Sequence, residues 1–339
     1  GFMLIYLNEL DKTIAIDYRE MAPGGATRDM FLDKEGNYDR KKSTYSLLSA
    51  GVPGTVAGLH YALEKYGTFS WAEVIEPAIK LAEEGFVVPH DLSSALNSRK
   101  DRLTANQATS EAYYKPNKTA YKAGELLKLP DLAWSLKEIK EQGPDAFYKG
   151  EVASKIVDEM ERNGGLINAS DLANYQVKER TPIKGSYKGY EIVSMPPSSS
   201  GGVHLIQMLN MLEPYSLHEM GFGSAESIHL MSEVMKRAYA DRSKYLGDTD
   251  FVSVPLMGLT NKKYAKELLK EISLTEASSS KDILSGDPLP YESPDTTHFS
   301  VMDDQGNVVS NTYTLNFSYG SGIVIPGTGI LMNNEMDDF

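Results

Sequence analysis

The segment Thr296-Thr297-His298 has the most distinctive chemical potential in this chain of 339 residues. On composition alone, two threonines ahead of an alternating run are typical β-sheet material. If the bond before Thr296 were cut, the new N-terminal threonine would hold a hydroxyl and an α-amine in one residue. An α-amine has an ordinary pKa of about 7.7–8.0, so it can accept the hydroxyl proton near neutral pH. One residue would then supply both nucleophile and base.

Charged and amide side chains elsewhere could bind a ligand. Arg19 and Glu20 follow a predicted strand; an arginine there is commonly a surface ion pair, although its guanidinium also suits a bidentate carboxylate. The run Asn333-Asn334-Glu335-Met336-Asp337-Asp338 is compatible with a solvated loop or with a site for a cationic ligand group. Asp303-Asp304 precedes Gly306 and predicts a turn.

Two glycine-rich segments invite comparison with nucleotide-binding loops. Residues 51–58, GVPGTVAG, lack the lysine and the spacing of a P-loop and do not match the dinucleotide fingerprint. Helix entry and close packing explain them better. Residues 196–202, PPSSSGG, could form a backbone nest beside a ligand, but a strand-to-helix loop is the default interpretation.

The counts exclude several classes of protein. A net charge of -13 argues against nucleic-acid binding, which needs a basic face. The chain has no cysteine, and its six histidines are scattered, so we expect neither a disulfide framework nor a metal site, and we expect no cofactor. No apolar stretch is long enough to cross a bilayer. The apolar start and the abrupt last residues suggest a piece of a longer protein.

These residues need a framework of strands and helices to position them. Periodicity and turn signals predict a mixed α/β protein with helical layers over an antiparallel sheet, rather than regular βαβ alternation. The predicted strands are 2–7, 13–18, 187–195, 298–302 and 308–315, and the predicted helices are 70–84, 131–142, 151–163, 203–212 and 224–245.

Five motifs, in order along the whole chain, together resemble the γ-glutamyltranspeptidase family. They are Asp17-Tyr18-Arg19-Glu20-Met21-Ala22-Pro23, residues 196–202, Ala238-Tyr239-Ala240-Asp241-Arg242, Thr296-Thr297-His298-Phe299-Ser300-Val301, and residues 333–339. The set in this order is far more specific than any one motif.

The resemblance implies an α+β fold, the four-layer αββα sandwich of N-terminal-nucleophile hydrolases, incomplete here at both ends. It implies cleavage between Asp295 and Thr296, so that 1–295 is part of a large subunit and 296–339 the start of a small one, both within one sandwich domain. By this resemblance, Thr296 would be the nucleophile, and the Thr314 hydroxyl would hydrogen bond it. Arg19 would bind the substrate α-carboxylate. The groups that bind the substrate α-amine would be Asn316, Glu335 and Asp338.

The implied reaction moves a γ-glutamyl group from glutathione or related compounds to water, an amino acid or a dipeptide. The implied location is periplasmic or extracellular. Glu335 stands where related bacterial enzymes often carry glutamine. The family's lid loop, Ser-Ser pair and Gly-Gly oxyanion hole follow Asp338 and are not within 1–339, so this piece alone is not expected to be a competent catalyst.

Two alternatives remain open from the sequence. A relative could act on another acyl group, such as poly-γ-glutamate or a β-lactam side chain. An unprocessed, inactive family member could instead serve as a binding or scaffold protein, although retention of Arg19, Thr296, Thr314, Asn316 and Asp338 argues against that interpretation.

Overall fold

The computed structural model describes residues 1–283 and 297–338. Its strands are β1 (Phe2–Leu7), β2 (Lys12–Asp17), β3 (Phe86–Val87), β4 (Leu126–Leu127), β5 (Lys178–Arg180), β6 (Ile183–Tyr187), β7 (Tyr190–Ser194), β8 (Thr297–Met302) and β9 (Val308–Tyr313). Its helices are α1 (Arg40–Tyr45), α2 (Thr55–Tyr66), α3 (Trp71–Glu84), α4 (His90–Ser98), α5 (Lys100–Leu103), α6 (Gln107–Tyr113), α7 (Pro130–Gln142), α8 (Pro144–Tyr148), α9 (Glu151–Asn163), α10 (Ala169–Ala173), α11 (Gly201–Leu212), α12 (Leu217–Met220), α13 (Ala225–Tyr245), α14 (Leu256–Leu259) and α15 (Lys262–Leu269).

A five-stranded antiparallel sheet with the order β5-β2-β1-β9-β8 organises the site. The strands predicted at 2–7 and 13–18 pair as the hairpin β1–β2, and those predicted at 298–302 and 308–315 pair as the hairpin β8–β9. The turn between β8 and β9 forms because the Asp303 carboxylate accepts hydrogen bonds from the amides of residues 305 and 307, while Gly306 takes a positive φ of 84°. Pairing of β1 with β9 places the first residues of the chain beside residues 308–312.

One face of this sheet is buried. Met3 and Ile5 alternate with more exposed residues along β1, while Ile14 and Ile16 are buried on β2. They pack with Tyr18, and α2 contributes a small residue to the same cluster. Buried and more exposed residues thus alternate with a period of two, and the buried face of the sheet packs against the hydrophobic core.

A second core lies among α3, α7, α8 and α9. A capping box starts α3, the helix predicted at 70–84: the Ser70 amide donates to the Glu73 carboxylate at 2.8 Å, and the Ser70 hydroxyl accepts from the Glu73 amide at 3.3 Å. The helices predicted at 131–142 and 151–163 are confirmed as α7 and α9.

A third unit pairs β6 with β7 and packs both against α11, which also contacts α13 and α15. The strand predicted at 187–195 corresponds to β7, but its first residues form the end of β6 and the turn, and β6 was not predicted. Its tight turn is formed by Lys188 and Gly189, which both take positive φ, 48° and 88°; lysine is not a usual residue for this conformation, so the local signal is weak.

Helices therefore pack against separate antiparallel strand units, and the α+β class is confirmed. Among the described helices, none combines the length and apolar character that crossing a membrane requires. Within 1–283 and 297–338, no group of three or more acidic or histidine side chains is arranged to hold a metal ion.

Candidate active site

A cavity of about 870 Å³ opens at one end of the five-stranded sheet. The segments that line it include the residues after β2, the residues after β9, and a 3₁₀ helix at Glu335–Asp338. Five of the predicted site residues line this cavity, namely Arg19, Thr314, Asn316, Glu335 and Asp338. Asp295 and Thr296 lie outside the described residues, and β8 begins at Thr297, opposite Tyr313.

Arg19 is held from both sides. Its amide donates to Asp17 Oδ1 at 3.0 Å, and its carbonyl accepts from the Tyr175 hydroxyl at 2.7 Å. Its Nε donates to Glu20 Oε1 at 2.7 Å, and Nη2 lies 3.7 Å from Asp338 Oδ2. A cation thus stands directly beside carboxylates in one wall of the cavity.

Two asparagines fix the acidic 3₁₀ helix in place. Asn333 Oδ1 accepts from the Gly51 amide at 2.9 Å, and its Nδ2 donates to the Gly51 carbonyl at 2.9 Å. Asn334 Nδ2 donates to the Thr44 carbonyl, and its Oδ1 accepts from the Phe317 amide. The sequence left open a solvated loop here; residues 333–336 are instead buried, whereas the two aspartates that follow remain accessible, and the asparagine amides bind backbone rather than ligand.

Glu335 is the most unusual group in the cavity. It is only 4% exposed, and its Oε1 has no hydrogen-bond partner among residues 1–283 and 297–338. Burial, with repulsion from Glu20, raises the pKa of Glu335 to about 8. Burial also raises the pKa of Asp338, although Arg19 opposes that shift.

Thr314 and Asn316 lie where the chain leaves β9. The Asn316 amide donates to Thr314 Oγ1 at 3.0 Å, and Asn316 Nδ2 donates to the Asn334 carbonyl at 3.1 Å. Asn316 takes a positive φ of 73°, which asparagine tolerates better than most residues. This bend turns the chain from the strand toward the acidic helix.

The glycines of residues 51–58 serve packing, as predicted. A Cβ at Gly58 would lie 2.2 Å from Tyr18 Cγ, and one at Gly54 would lie 1.9 Å from the Tyr175 hydroxyl oxygen. Tyr18 precedes Arg19 in the chain, and Tyr175 hydrogen bonds the Arg19 carbonyl. Because the two glycines have no Cβ, α2 can approach the segment that contains Arg19.

Several cavity residues were not predicted as site residues. Tyr175 gives no local signal, because its link to Arg19 spans 156 positions. Ser198–Gly201 and Arg242 also line the cavity. Both belong to motifs used for the family resemblance, so the signal was present. The loop was considered only as a possible backbone nest beside a ligand, and Arg242 was given no role.

The comparison with known families decides the identity of the chain. The family model described as Gamma-glutamyltranspeptidase matches residues 1–339. The chain belongs to the γ-glutamyltranspeptidase family. It is 52% identical to the "Glutathione hydrolase proenzyme" of Escherichia coli (strain K12) over 339 residues, covering 100% of this chain and 58% of that protein.

The matches also include a relative that is named an acylase and a solved structure. The "Acylase ACY 1 proenzyme" of Pseudomonas sp. (strain SE83) is 42% identical over 332 residues, which cover 96% of this chain and 59% of the relative. The crystal structure of Helicobacter pylori γ-glutamyltranspeptidase matches with a TM-score of 0.82 and 45% identity, over 84% of this chain and 82% of that one.

These matches confirm the predicted family and its N-terminal-nucleophile hydrolase fold. The chain spans less than two thirds of the length of the curated relatives cited above.

Proposed function

We propose that the protein containing this chain transfers γ-glutamyl groups from glutathione and related donors to water, amino acids or dipeptides. The observation that carries the proposal is the convergence of Arg19, Glu335 and Asp338 in one cavity. A γ-glutamyl group presents an α-carboxylate and an α-ammonium at a fixed separation. A cation beside carboxylates matches that pair of charges.

In the proposed mechanism, Thr296 becomes N-terminal after cleavage of the 295–296 bond, and its hydroxyl attacks the γ-glutamyl carbonyl. The α-amine of the same residue takes the hydroxyl proton. The amine leaving group departs with a proton, and an acyl-enzyme remains until water or an acceptor amine releases it. Thr314, at the end of β9, hydrogen bonds the nucleophile in this proposal.

Substrate selection follows from the same groups. Arg19 would hold the α-carboxylate, while Asn316, Glu335 and Asp338 would hold the α-amino group. A donor that lacks either charge would leave buried polar groups unpaired, which is costly. The proposed subunits are 1–295 and 296–339 with their continuations, no cofactor is needed, and the proposed location is periplasmic or extracellular.

Processing and activity of the full-length protein test this proposal. Intact mass and N-terminal sequencing should show two polypeptides, with Thr296 first in the smaller one, together with release of nitroaniline from γ-glutamyl-p-nitroanilide. Thr296→Ser keeps a hydroxyl and should still be cleaved, whereas Thr296→Ala should stay intact. A Thr296→Ala protein that splits at 295–296 would refute the mechanism.

A related acylase activity is the second candidate, because a relative of 42% identity is named an acylase. Release rates from γ-glutamyl anilide, poly-γ-glutamate and a β-lactam side-chain amide would separate the two. An uncut 295–296 bond with no turnover of any of them would instead favour a binding or scaffold protein.

A further inference from the structure

A group of charged side chains on the five-stranded sheet adjoins the turn that carries Arg19. Strand β5 pairs with β2 so that Arg180 is opposite Ala15, and Lys178 is opposite Asp17. Residues opposite one another and residues two positions apart share one face of an antiparallel sheet, so Arg180 is a diagonal neighbour of Asp17. Arg180 Nε donates to Asp17 Oδ2 at 2.7 Å.

Asp17 connects Arg180 to the backbone of Arg19. Its carboxylate is buried, and its two oxygens have different partners: Oδ1 accepts from the Arg19 amide at 3.0 Å, and Oδ2 accepts from Arg180 Nε. A hydrogen bond from an amide to the aspartate two residues before it bends the chain. This bend lies at the end of β2, where Arg19 enters the lining of the cavity. Because one carboxylate makes both contacts, the direction of the Asp17 side chain, and with it the bend, depends on Arg180.

The guanidinium of Arg180 is itself held in one orientation. Its Nη1 and Nη2 donate to the two carboxylate oxygens of Asp250 at 3.2 and 2.8 Å, and its side chain is only 13% exposed. Asp250 also forms an ion pair with Lys178 at 2.5 Å. Hydrogen bonds from Arg180 and Lys178 keep the pKa of Asp250 well below its usual range, so this carboxylate is ionised near neutral pH. The bidentate pair fixes the plane of the guanidinium, and Nε in that plane points to Asp17.

A contribution to stability alone is a weak explanation for this arrangement. A buried ion pair is often no more stabilising than well-packed apolar residues of similar volume. Asp17, Arg180 and Asp250 line the same cavity as Arg19, and Asp17 contacts the Arg19 amide directly. A lysine in place of Arg180 would have one ammonium group, which cannot hold both carboxylates in a fixed plane.

We infer that Arg180 is a positioning residue for Arg19: through Asp17, it fixes the bend that directs Arg19 toward the α-carboxylate of the donor. The inference rests on the proposed γ-glutamyl transfer, in which Arg19 binds that carboxylate. Loss of Arg180 weakens donor binding and leaves the chemical step unchanged. The loss is partial, because the Tyr175 hydroxyl still holds the Arg19 carbonyl from the other side.

Steady-state kinetics of the full-length processed protein with γ-glutamyl-p-nitroanilide test the inference. Arg180→Gln should raise KM about 3- to 10-fold, the range for loss of one ordinary hydrogen bond. The same substitution should change kcat by less than about twofold, because an interaction that is equally strong in the ground state and the transition state affects KM alone.

A double-mutant cycle with Arg19 separates positioning from a general structural role. In the Arg19→Lys background, Arg180→Gln should raise KM by less than about twofold, because the planar fork that Arg180 positions is already absent. Arg162→Gln removes an exposed arginine of α9 that pairs with Asp158 at 3.3 Å, and this control should leave KM and kcat unchanged in both backgrounds. Arg180→Lys should raise KM by a smaller factor than Arg180→Gln, and the same cycle with Arg180→Lys decides the matter if Arg180→Gln is not processed.

An unchanged KM in processed Arg180→Gln would overturn the inference. An equal rise in KM in the wild-type and Arg19→Lys backgrounds would overturn it as well, because Arg180 would then act independently of Arg19. A fall in kcat without a rise in KM would have the same consequence. A processed wild-type protein that does not turn over the donor refutes the proposed function and this inference together, whereas an active wild type with any of those three results refutes only the inference.

Discussion

Replacement of Glu335 by glutamine tests the electrostatics of the cavity, because this carboxyl is buried and its Oε1 lacks a partner among the described residues. Its pKa is raised from 4.5 to about 8, with burial as the largest cause and Glu20 second. A carboxyl with a raised folded-state pKa is protonated in the folded protein and ionised in the unfolded chain. Its effect on stability is therefore neutral below pH 4.5 and becomes increasingly unfavourable up to pH 8.

The magnitude follows from the two pKa values at about 1.4 kcal/mol per unit. Relative to glutamine, which does not titrate, Glu335 should cost about 1 kcal/mol of unfolding free energy at pH 5, about 3 at pH 7 and about 5 at pH 9. Glu335→Gln should thus gain stability over the wild type as pH rises. The change with pH in the difference between the two unfolding free energies is diagnostic, because a packing difference between the two side chains contributes the same amount at every pH.

Urea unfolding of the full-length protein at those three pH values, without substrate, measures this difference. Glu161→Gln, at an exposed position on α9, is the control and should show little change with pH. A Glu335→Gln advantage that stays constant from pH 5 to 9 would mean that the buried carboxyl is already ionised in the empty cavity. The burial argument would then be wrong.

Three other substitutions test the groups that present or support the site. Arg19→Lys should raise KM for γ-glutamyl-p-nitroanilide about tenfold through loss of the planar fork, and an unchanged KM would contradict carboxylate binding there. Asn334→Ala removes hydrogen bonds to buried backbone and should lower the free energy of unfolding by about 2–4 kcal/mol in urea; a loss below about 0.5 kcal/mol would deny its anchoring role. Gly58→Ala places a Cβ 2.2 Å from Tyr18 Cγ and should lower the free energy of unfolding by about 3 kcal/mol or more in the same assay. The control Gly25→Ala, whose Cβ would have its nearest atom at 3.7 Å, should lower it by less than about 1 kcal/mol. Equal losses would contradict the packing explanation.

The parts of the fold that the sequence predicted are those with local causes. The β8–β9 hairpin follows from alternation around a turn in which Asp303 accepts nearby amides. The start of α3 follows from a capping box whose two residues lie three positions apart. Pairing of β1 with β9 has no such cause, because burial of a shared face decides which distant strands meet.

The candidate site shows the same division. The resemblance named Arg19 and the acidic run, but residue types alone could not separate ligand-facing groups from structural ones within 333–338. Asn333 and Asn334 look as suited to a ligand as Glu335 does. Only the fold reveals that both amides are committed to backbone groups of Gly51 and Thr44, on segments far away in sequence.

The hydrogen bonds of Asn333 and Asn334 to the backbone explain how Glu335 can be buried close to Glu20. A carboxyl without a partner at Oε1 is unfavourable in a protein interior, and a mobile loop would turn it toward water. The amide anchors prevent that escape, so the cost remains in the folded protein. An ammonium that pairs with Glu335 would remove the repulsion and favour the carboxylate, and binding energy would then come partly from a cost already present in the folded protein. Proteins normally avoid a buried carboxyl without a hydrogen-bond partner. The surrounding structure keeps the Glu335 carboxyl in this unfavourable position, as expected at a ligand-binding site.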